Sequence, residues 1–185
     1  ALFNEFLSPY IGFKFSPKKL MLYESSSPSY TSYEFDNAPG WHHLVVRSST
    51  SSVDFFVDGT LKESLNKGIT LGVESIGNLF GGYGSFAEKM DDFRIFSRSL
   101  TNLEVFELYG NEEGDFGVHP YDEFPPEFDN IPEVIIPKNP VVYWTFNELN
   151  GTTVSDVSGY GNMGVVDDNL STPNLFENSV PGKNG

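Results

Sequence analysis

The stretch 41–59, WHHLVVRSSTSSVDFFVDG, constrains the fold more than any other part of the chain. Successive side chains of a strand point to opposite faces, so WHHLVV places Leu44 and Val46 on one face and Val45 on the other. The polar RSSTSS supplies short loop residues. VDFFV then ends in Asp58-Gly59, a strong hairpin signal because glycine tolerates the positive φ of a primed turn. The stretch therefore predicts an antiparallel meander.

Charge and composition exclude several classes of protein. The chain has 17 Phe and 9 Tyr, residues that favour strands. Its 11 Lys and Arg stand against 26 Asp and Glu, a formal net charge of -15, so its field repels nucleic acid and anionic membranes. There is no Cys, which excludes disulfides, thiolate metal sites and cysteine nucleophiles. No apolar run reaches the roughly 20 residues of a membrane span, and we expect no membrane insertion.

Alternating patterns predict further strands on both sides of the meander. YIGFKF and KLMLYE precede it, and one more strand is expected near residues 30–35, with Pro28 and Pro39 as breaks. TLKES and residues 69–73 continue the sheet, and the glycine-rich stretch 77–84 is a turn. MDDFRIF places Phe93 and Ile95 inward.

A helix is predicted after the MDDFRIF strand. Thr101 and Glu104 form a capping-box pattern, in which each side chain accepts the other residue's backbone amide. We expect a short helix over residues 102–109, stopped by Gly110 in the left-handed conformation.

The composition changes abruptly at residues 111–140. This stretch is acidic and rich in proline, which predicts an extended linker or strap. Order returns afterwards, because Val142, Trp144 and Phe146 alternate with Tyr143 and Thr145. Beyond this strand, an Asn-Gly turn and a loop of Ser, Gly and Asn lead back to residues 165–166.

Two groups of these motifs resemble one known family. The Trp-His strand, the strand ending in Asp-Gly and KMDDFRIFSRSLTNLEVFELYG (89–110) resemble the second half of a laminin G-like or pentraxin-like jelly roll, of the concanavalin A-like lectin and glucanase type. VVYWTFNELNGTTVSDVSGYGNMG (141–164) resembles the opening of such a domain. The resemblance implies an all-β antiparallel sandwich with one short helix after the DDFRIF strand.

The order of the two pieces is unusual, because the piece that resembles the end of a jelly-roll domain precedes the piece that resembles the start of one. Residues 1–110 resemble the second half of one jelly roll, 111–140 form the linker, and 141–185 resemble opening strands of a next repeat or of the same sandwich in permuted order. Unpaired strand edges and apolar faces are costly for a soluble monomer. We therefore expect missing strands to come from a longer parent chain or from a neighbouring copy, and we place permutation below these two.

Calcium is the cofactor that the polar loops predict. It takes oxygen ligands from carboxylates, amides and carbonyls, a mixture that loops of Asp, Asn and Gly provide, and the resemblance implies one structural calcium near the chain ends. The alternative is that these residues only form turns. The candidate ligands are Asn147, Glu148, Asp156, Asn162, Asp91 and Asp92.

Enzyme chemistry finds little support in the sequence. Glu127, Asp129 and Glu133 fit the spacing of the catalytic strand of related glucanases, but nearby prolines argue against a central strand there. Adjacent His42 and His43 point to opposite faces, so they do not share a metal. No catalytic residue is predicted, and the histidines are expected to pack and to form hydrogen bonds.

Sugar binding is the alternative function. Exposed aromatic rings stack on sugars, and the candidates are Tyr23, Tyr30, Tyr33 and Tyr83. Asn150 and Asn169 are N-glycosylation acceptors if the protein is eukaryotic and secreted. The leading hypothesis is a non-catalytic adhesion or structural repeat at the cell surface or outside the cell, with neighbouring copies and glycans as partners. A carbohydrate-binding module comes second and a glycoside hydrolase third.

Overall fold

The computed structural model describes residues 3–4, 10–15, 18–24, 27–34, 41–69, 75–76, 90–111, 139–148 and 151–165. These ranges hold twelve strands and one helix. In chain order they are β1 Phe3–Asn4, β2 Tyr10–Phe15, β3 Lys18–Glu24, β4 Ser27–Glu34, β5 Leu44–Ser48, β6 Val53–Val57, β7 Thr60–Leu65, β8 Ser75–Ile76, β9 Phe93–Ile95, α1 Asn102–Asn111, β10 Val142–Trp144, β11 Thr153–Val154 and β12 Gly164–Val165.

Antiparallel pairing organises these strands into two larger and two smaller sheets. One sheet has the order β4-β3-β2-β1-β8 and the other β5-β6-β7, while β9 pairs with β10 and β11 with β12. With a single short helix beside them, they confirm the predicted all-β sandwich class.

The strands before the meander lie close to their predicted positions. YIGFKF and KLMLYE form β2 and most of β3. β4 differs from the prediction, because it starts at Ser27 and includes Pro28, which pairs with Tyr23. β4 stands at the end of its sheet's strand order, where proline is tolerated because one side of the strand needs no ladder hydrogen bond. The stretches 70–73 and 77–84 lie outside the described residues.

Strand β6 is buried on both faces, and its first face forms the main core. Val53, Phe55 and Val57 are at most 1% exposed and pack with Leu20 and Leu22 of β3. Leu44 and Val46 of the neighbouring β5 contact the same cluster, as the alternation predicted. This face joins the two larger sheets.

The opposite face of β6 packs against the helix. Phe56 forms a second cluster with Leu100, Val105 and Leu108, and Val45 packs against it. The alternation thus assigns the apolar residues of LVV and VDFFV to the correct sides. The second burial was not predicted, because the sequence does not show that α1 covers this side of the sheet. The predicted bounds of the first strand of the meander are wrong, because β5 starts at Leu44 and includes Arg47 and Ser48, which pair with β6.

The predicted Asp-Gly hairpin is confirmed between β6 and β7. Asp58 has φ 51° and Gly59 has φ 72°, the two positive values that a type I′ turn requires. A Cβ placed on Gly59 would lie 3.0 Å from the Tyr109 ring carbon Cδ1 of α1. Glycine is therefore needed here both for its backbone and for the close approach of the helix.

The capping box at the start of α1 is also confirmed. The Glu104 amide donates to Thr101 Oγ1 at 3.2 Å, and the Thr101 amide donates to Glu104 Oε2 at 2.8 Å. The predicted stop at Gly110 is wrong, because the helix continues through it to Asn111 and its φ is not positive. Glycine permits the left-handed conformation without imposing it, so the helical hydrogen bonds decide.

Candidate functional site

The two segments that resemble an ending and an opening meet at β9 and β10. Their register pairs Val142 with Ile95, Tyr143 with Arg94 and Trp144 with Phe93, all within one chain. The Trp144 and Phe93 rings lie 5.4 Å apart, and the Val141 amide donates to Ile95 O at 2.7 Å. The sequence allowed missing strands from a longer parent chain, from a neighbouring copy, or from the same chain in permuted order. The observed pairing is within the same chain, the arrangement that we expected least.

A polar network reinforces this junction across the two strands. The Tyr143 hydroxyl donates to Asp92 Oδ1 at 2.9 Å and accepts from Arg94 Nη2 at 3.0 Å. The Arg94 guanidinium also lies 4.4 Å from the centre of the Tyr143 ring. Burial raises the pKa of Tyr143 above its ordinary value, so the hydroxyl keeps its proton and donates at neutral pH. Asp92 adopts a positive φ of 52°, an uncommon conformation for a residue other than glycine.

Asp156 organises the loop that follows β10. Its Oδ1 accepts from the amides of Tyr143 and Ser158, and its Oδ2 accepts from Ser158 Oγ and the Asn162 amide, all at 2.8–2.9 Å. Desolvation raises the pKa of Asp156, but these four hydrogen bonds, that from Ser158 Oγ foremost, outweigh it and hold the pKa well below its ordinary value. A carboxylate offers about four lone-pair positions, and here all four are used.

The same loop is held to Trp144. The indole Nε1 donates to Asn162 O at 2.8 Å, and Asn162 Nδ2 donates to Val141 O at 2.8 Å. A Cβ on Gly164 would lie 3.0 Å from the Trp144 ring. We call residues 139–148 and 151–165 the donor segment, because they form one hydrogen-bonded unit that contributes β10 to β9.

The donor segment presents large apolar side chains to solvent. Four of them are more than half exposed, and all lie on or beside the loop that Asp156 organises. They are Val157, Tyr160, Met163 and Val165.

The six predicted calcium ligands lie in different hydrogen-bonding surroundings. Asp92 belongs to the Tyr143 network, and Asp91 accepts the Asp92 amide at 3.0 Å. Asn162 contributes backbone and amide hydrogen bonds to the Asp156 loop, and Asn147 is exposed. Within the described ranges, no group of three or more His, Asp or Glu is placed to hold a metal ion.

Glu148 is the predicted ligand whose surroundings fit a cation. Its Oε1 accepts the Ser155 amide at 2.6 Å, whereas its Oε2 is buried and has no hydrogen-bond partner among the residues described. A buried carboxylate oxygen without a partner is costly, and a bound ion would compensate it. Calcium binding stays a prediction. The buried oxygen of Glu148 supports it, whereas the four hydrogen bonds of Asp156 leave its carboxylate no lone pair for an ion.

The predicted sugar-stacking residues differ in their surroundings. Tyr30 is 43% exposed. Tyr33 packs against the main core cluster, and Lys62 Nζ lies 5.6 Å from the centre of its ring. The side chain of Tyr23 and all of Tyr83 lie outside the described residues, so Tyr30 is the more exposed of the two rings that are described.

Several other predicted residues lie outside the described ranges as well. These are the glycosylation acceptors Asn150 and Asn169, and the acidic residues Glu127, Asp129 and Glu133. Two histidines are described: His42 Nδ1 lies 2.9 Å from Asp58 Oδ2, and the His43 ring lies 5.9 Å from that of Tyr109, whereas His119 lies outside the described residues. The prediction that they pack and form hydrogen bonds agrees with these contacts.

Sequence reasoning missed a half-buried ion pair between the meander and the start of α1. Arg47 Nε and Nη2 donate to Asp54 Oδ2 at 2.9 and 2.8 Å, and Ser64 Oγ donates to Asp54 Oδ1 at 2.6 Å. Arg47 Nη1 donates to Leu100 O at 2.8 Å, and its guanidinium lies 4.8 Å from the Phe56 ring centre. Arg47 and Asp54 face each other in register on β5 and β6, so only the strand pairing could have indicated it.

A second missed ion pair lies at the start of α1. Arg98 Nη1 and Nη2 donate to the two carboxylate oxygens of Glu104 at 2.8 and 2.5 Å. The hydrogen bonds from Arg98 are the main cause that lowers the pKa of Glu104 to about 2, and those from Thr101 add to it. The capping-box motif indicated the Thr101 contact but not the Arg98 contact, since Arg98 precedes the helix.

These side chains hold strands and helix together. The part of the chain that the structure describes includes no helix both long and apolar enough to cross a membrane.

Comparisons with known proteins give the family. Residues 14–106 match a laminin G model described as the concanavalin A-like lectin/glucanases superfamily. The chain is 31% identical to mouse (Mus musculus) usherin over 91 residues, and 30% identical to human (Homo sapiens) usherin over 82. These stretches are 44% and 39% of this chain but only 2% of each usherin.

A solved structure titled as an S-layer domain-containing protein (residues 221–444) from Clostridium thermocellum is more distant. It is 20% identical, with a TM-score of 0.35 over 50% of this chain and 51% of that one, too little to support an argument. The family model, in contrast, matches half of the sequence, including the meander, the Asp-Gly hairpin and the first half of the helix. The chain therefore belongs to the concanavalin A-like lectin/glucanase superfamily, with a laminin G-like domain at residues 14–106.

Proposed function

We propose that the protein is a non-catalytic adhesion or structural repeat that works at the cell surface or outside the cell. The observation that supports it most is the β9–β10 pairing, in which a segment that resembles the opening of a sandwich completes the end of the preceding one. In a protein built from repeats, such a junction would join one unit to the next. The superfamily description names both lectins and glucanases, so membership alone does not choose between binding, catalysis and a structural role.

The polar side chains of the described residues also favour a structural role. The Arg47–Asp54 and Arg98–Glu104 pairs, the Tyr143 network and the Asp156 loop each join one element to another. A catalytic carboxylate pair of a retaining glucanase would instead stand about 5 to 5.5 Å apart across a sugar. The acidic residues 127, 129 and 133 that fit the glucanase spacing lie in a proline-rich stretch.

The hydrolase alternative is tested with the whole chain and laminarin. We expect no release of reducing sugar above a buffer blank. Cleavage of laminarin that the Glu127→Gln variant loses would overturn the non-catalytic assignment.

A carbohydrate-binding module is the second candidate, and exposed Tyr30 is the observation in its favour. Aromatic faces stack on sugar rings. A glycan array, run once with calcium and once with chelator, separates the two functions. We expect no glycan bound in a Tyr30-dependent manner. Binding that Tyr30→Ala removes, and that a Leu61→Ala control with a similarly exposed side chain retains, would make the protein a lectin.

A further inference from the structure

The donor segment behaves as a unit with its own internal bonds. Asp156 accepts four hydrogen bonds from within it, and Asn162 Nδ2 donates to Val141 O. Trp144 is tied to Asn162 O in the same unit. These contacts do not depend on which sandwich the segment joins.

The segment is attached to the preceding sandwich through β9 and the adjoining Asp92. The attachment includes the three ladder pairs, the Phe93–Trp144 contact and the hydrogen bonds that Tyr143 makes with Arg94 and Asp92. Two copies of one chain have the same β9 and the same donor segment. A segment from another copy would make the same contacts, and exchange of identical elements is a low-cost route to assembly.

We propose that β9 is a strand-accepting site that also binds the donor segment of a second copy, so that copies exchange this segment when crowded. The inference rests on the proposed function, because it names the neighbour that an assembling repeat contacts. The connection over residues 112–138 is acidic and contains five prolines, a composition that favours an extended chain of roughly 3.1 Å per residue. Such a connection gives the reach that exchange requires.

The protein concentration determines whether β9 pairs with β10 of its own chain or of another copy. A segment that is tethered to its own site has an effective concentration there on the order of 1 mM. The chain therefore closes on itself when dilute, and exchange between copies begins near millimolar local concentration. A formal charge of -15 on each copy opposes the approach, so salt that screens this charge favours exchange.

Cysteine substitution gives a direct test because the chain has no Cys of its own. Ile95 and Val142 are cross-strand partners, and partner Cα atoms in antiparallel sheets lie about 4.5 to 5.5 Å apart, within disulfide range. The double variant Ile95→Cys/Val142→Cys is expected to form an intramolecular disulfide at low concentration. Its failure to do so would remove the pairing and the proposal with it.

Exchange is read from a mixture of the two single variants. Ile95→Cys and Val142→Cys chains are unfolded together, refolded at about 10 µM and about 1 mM, oxidised, and separated on a non-reducing gel. Only a donor segment bound to another copy's β9 brings the two cysteines together. We expect the amount of disulfide-linked dimer to increase at least about tenfold between the two concentrations, because only the higher one matches the effective concentration of the chain's own segment. Added salt is expected to increase the amount of dimer further.

The matched control uses strands that follow each other directly in the chain. Lys19 on β3 and Glu34 on β4 are also cross-strand partners, and their mixed single cysteine variants are expected to give only background dimer. Dimer no greater than this control at about 1 mM, with the double variant oxidised, would overturn the proposal. That outcome leaves the adhesion or structural function standing, since laminarin and glycan assays read that function independently.

Discussion

Removing the charge of Glu104 measures how much the Arg98 ion pair stabilises the start of α1. Glutamine keeps the capping box, because its side-chain oxygen also accepts the Thr101 amide. The Glu104→Gln variant therefore loses the carboxylate that Arg98 binds and little else. Glu104 is buried in the folded chain, with a side-chain exposure of 8%.

The magnitude follows from the pKa. A folded value of about 2 against an ordinary 4.5 corresponds to about 3 kcal/mol, since each unit is about 1.4 kcal/mol. Arg98 is 52% exposed, and solvent screening of this partner reduces the expected loss to about 2 kcal/mol. Because the folded pKa is lowered, this stabilisation is present above pH 4.5 and is lost as pH falls toward about 2.

Urea unfolding of the wild type and the variant measures this difference. We expect about 2 kcal/mol at pH 7, decreasing by roughly half or more by pH 3. Glu34→Gln is the control, because its pair with Lys19 is a surface one and we expect at most about 0.5 kcal/mol. A loss at Glu104 no larger than at Glu34, or one that does not change between pH 7 and pH 3, would refute the reasoning.

Three further predictions concern the hairpin, the ion pair and calcium. Gly59→Ala is expected to cost about 2 kcal/mol or more in urea unfolding, because strain at positive φ adds to the Tyr109 clash. Gly161→Ala is the control, because its φ of 78° is close to the 72° of Gly59 and no atom lies within 4 Å of its Cβ; equal losses would contradict the clash. Arg47→Met leaves the largely buried Asp54 carboxylate without its cation, and we expect the free energy of unfolding to fall by about 3 kcal/mol. The loss is expected to be smaller in the Arg47→Met/Asp54→Leu double variant, and a double-variant loss equal to the sum of the two single losses would argue against the pair. Calcium at a hundredfold excess over its dissociation constant is expected to raise the free energy of unfolding by about 2.7 kcal/mol, and the melting temperature with it. The Glu148→Gln variant is expected to lose this increase. A melting temperature that chelator does not change would contradict the calcium hypothesis.

Local sequence signals determined much of the fold. The Asp58-Gly59 turn and the capping box of Thr101 and Glu104 depend on residues within a few positions, so their chemistry is readable without knowing the neighbours. The alternation in VDFFV also assigned Val53 and Phe56 to opposite faces correctly. The family resemblance, carried by the same motifs, agrees with the match at residues 14–106.

Tertiary structure decided what local chemistry leaves open. Gly110 is compatible with a helical or a left-handed conformation, and in the structure it is helical because α1 continues to Asn111. Asp54 reads as an outward polar residue, but it is buried and bonded to Arg47 and Ser64. The partner of β10 was the largest open question, because any free strand edge satisfies the same backbone groups. The structure pairs Val142 with Ile95 of the same chain, and a tethered segment outcompetes a dilute neighbour for a site that both fit equally well.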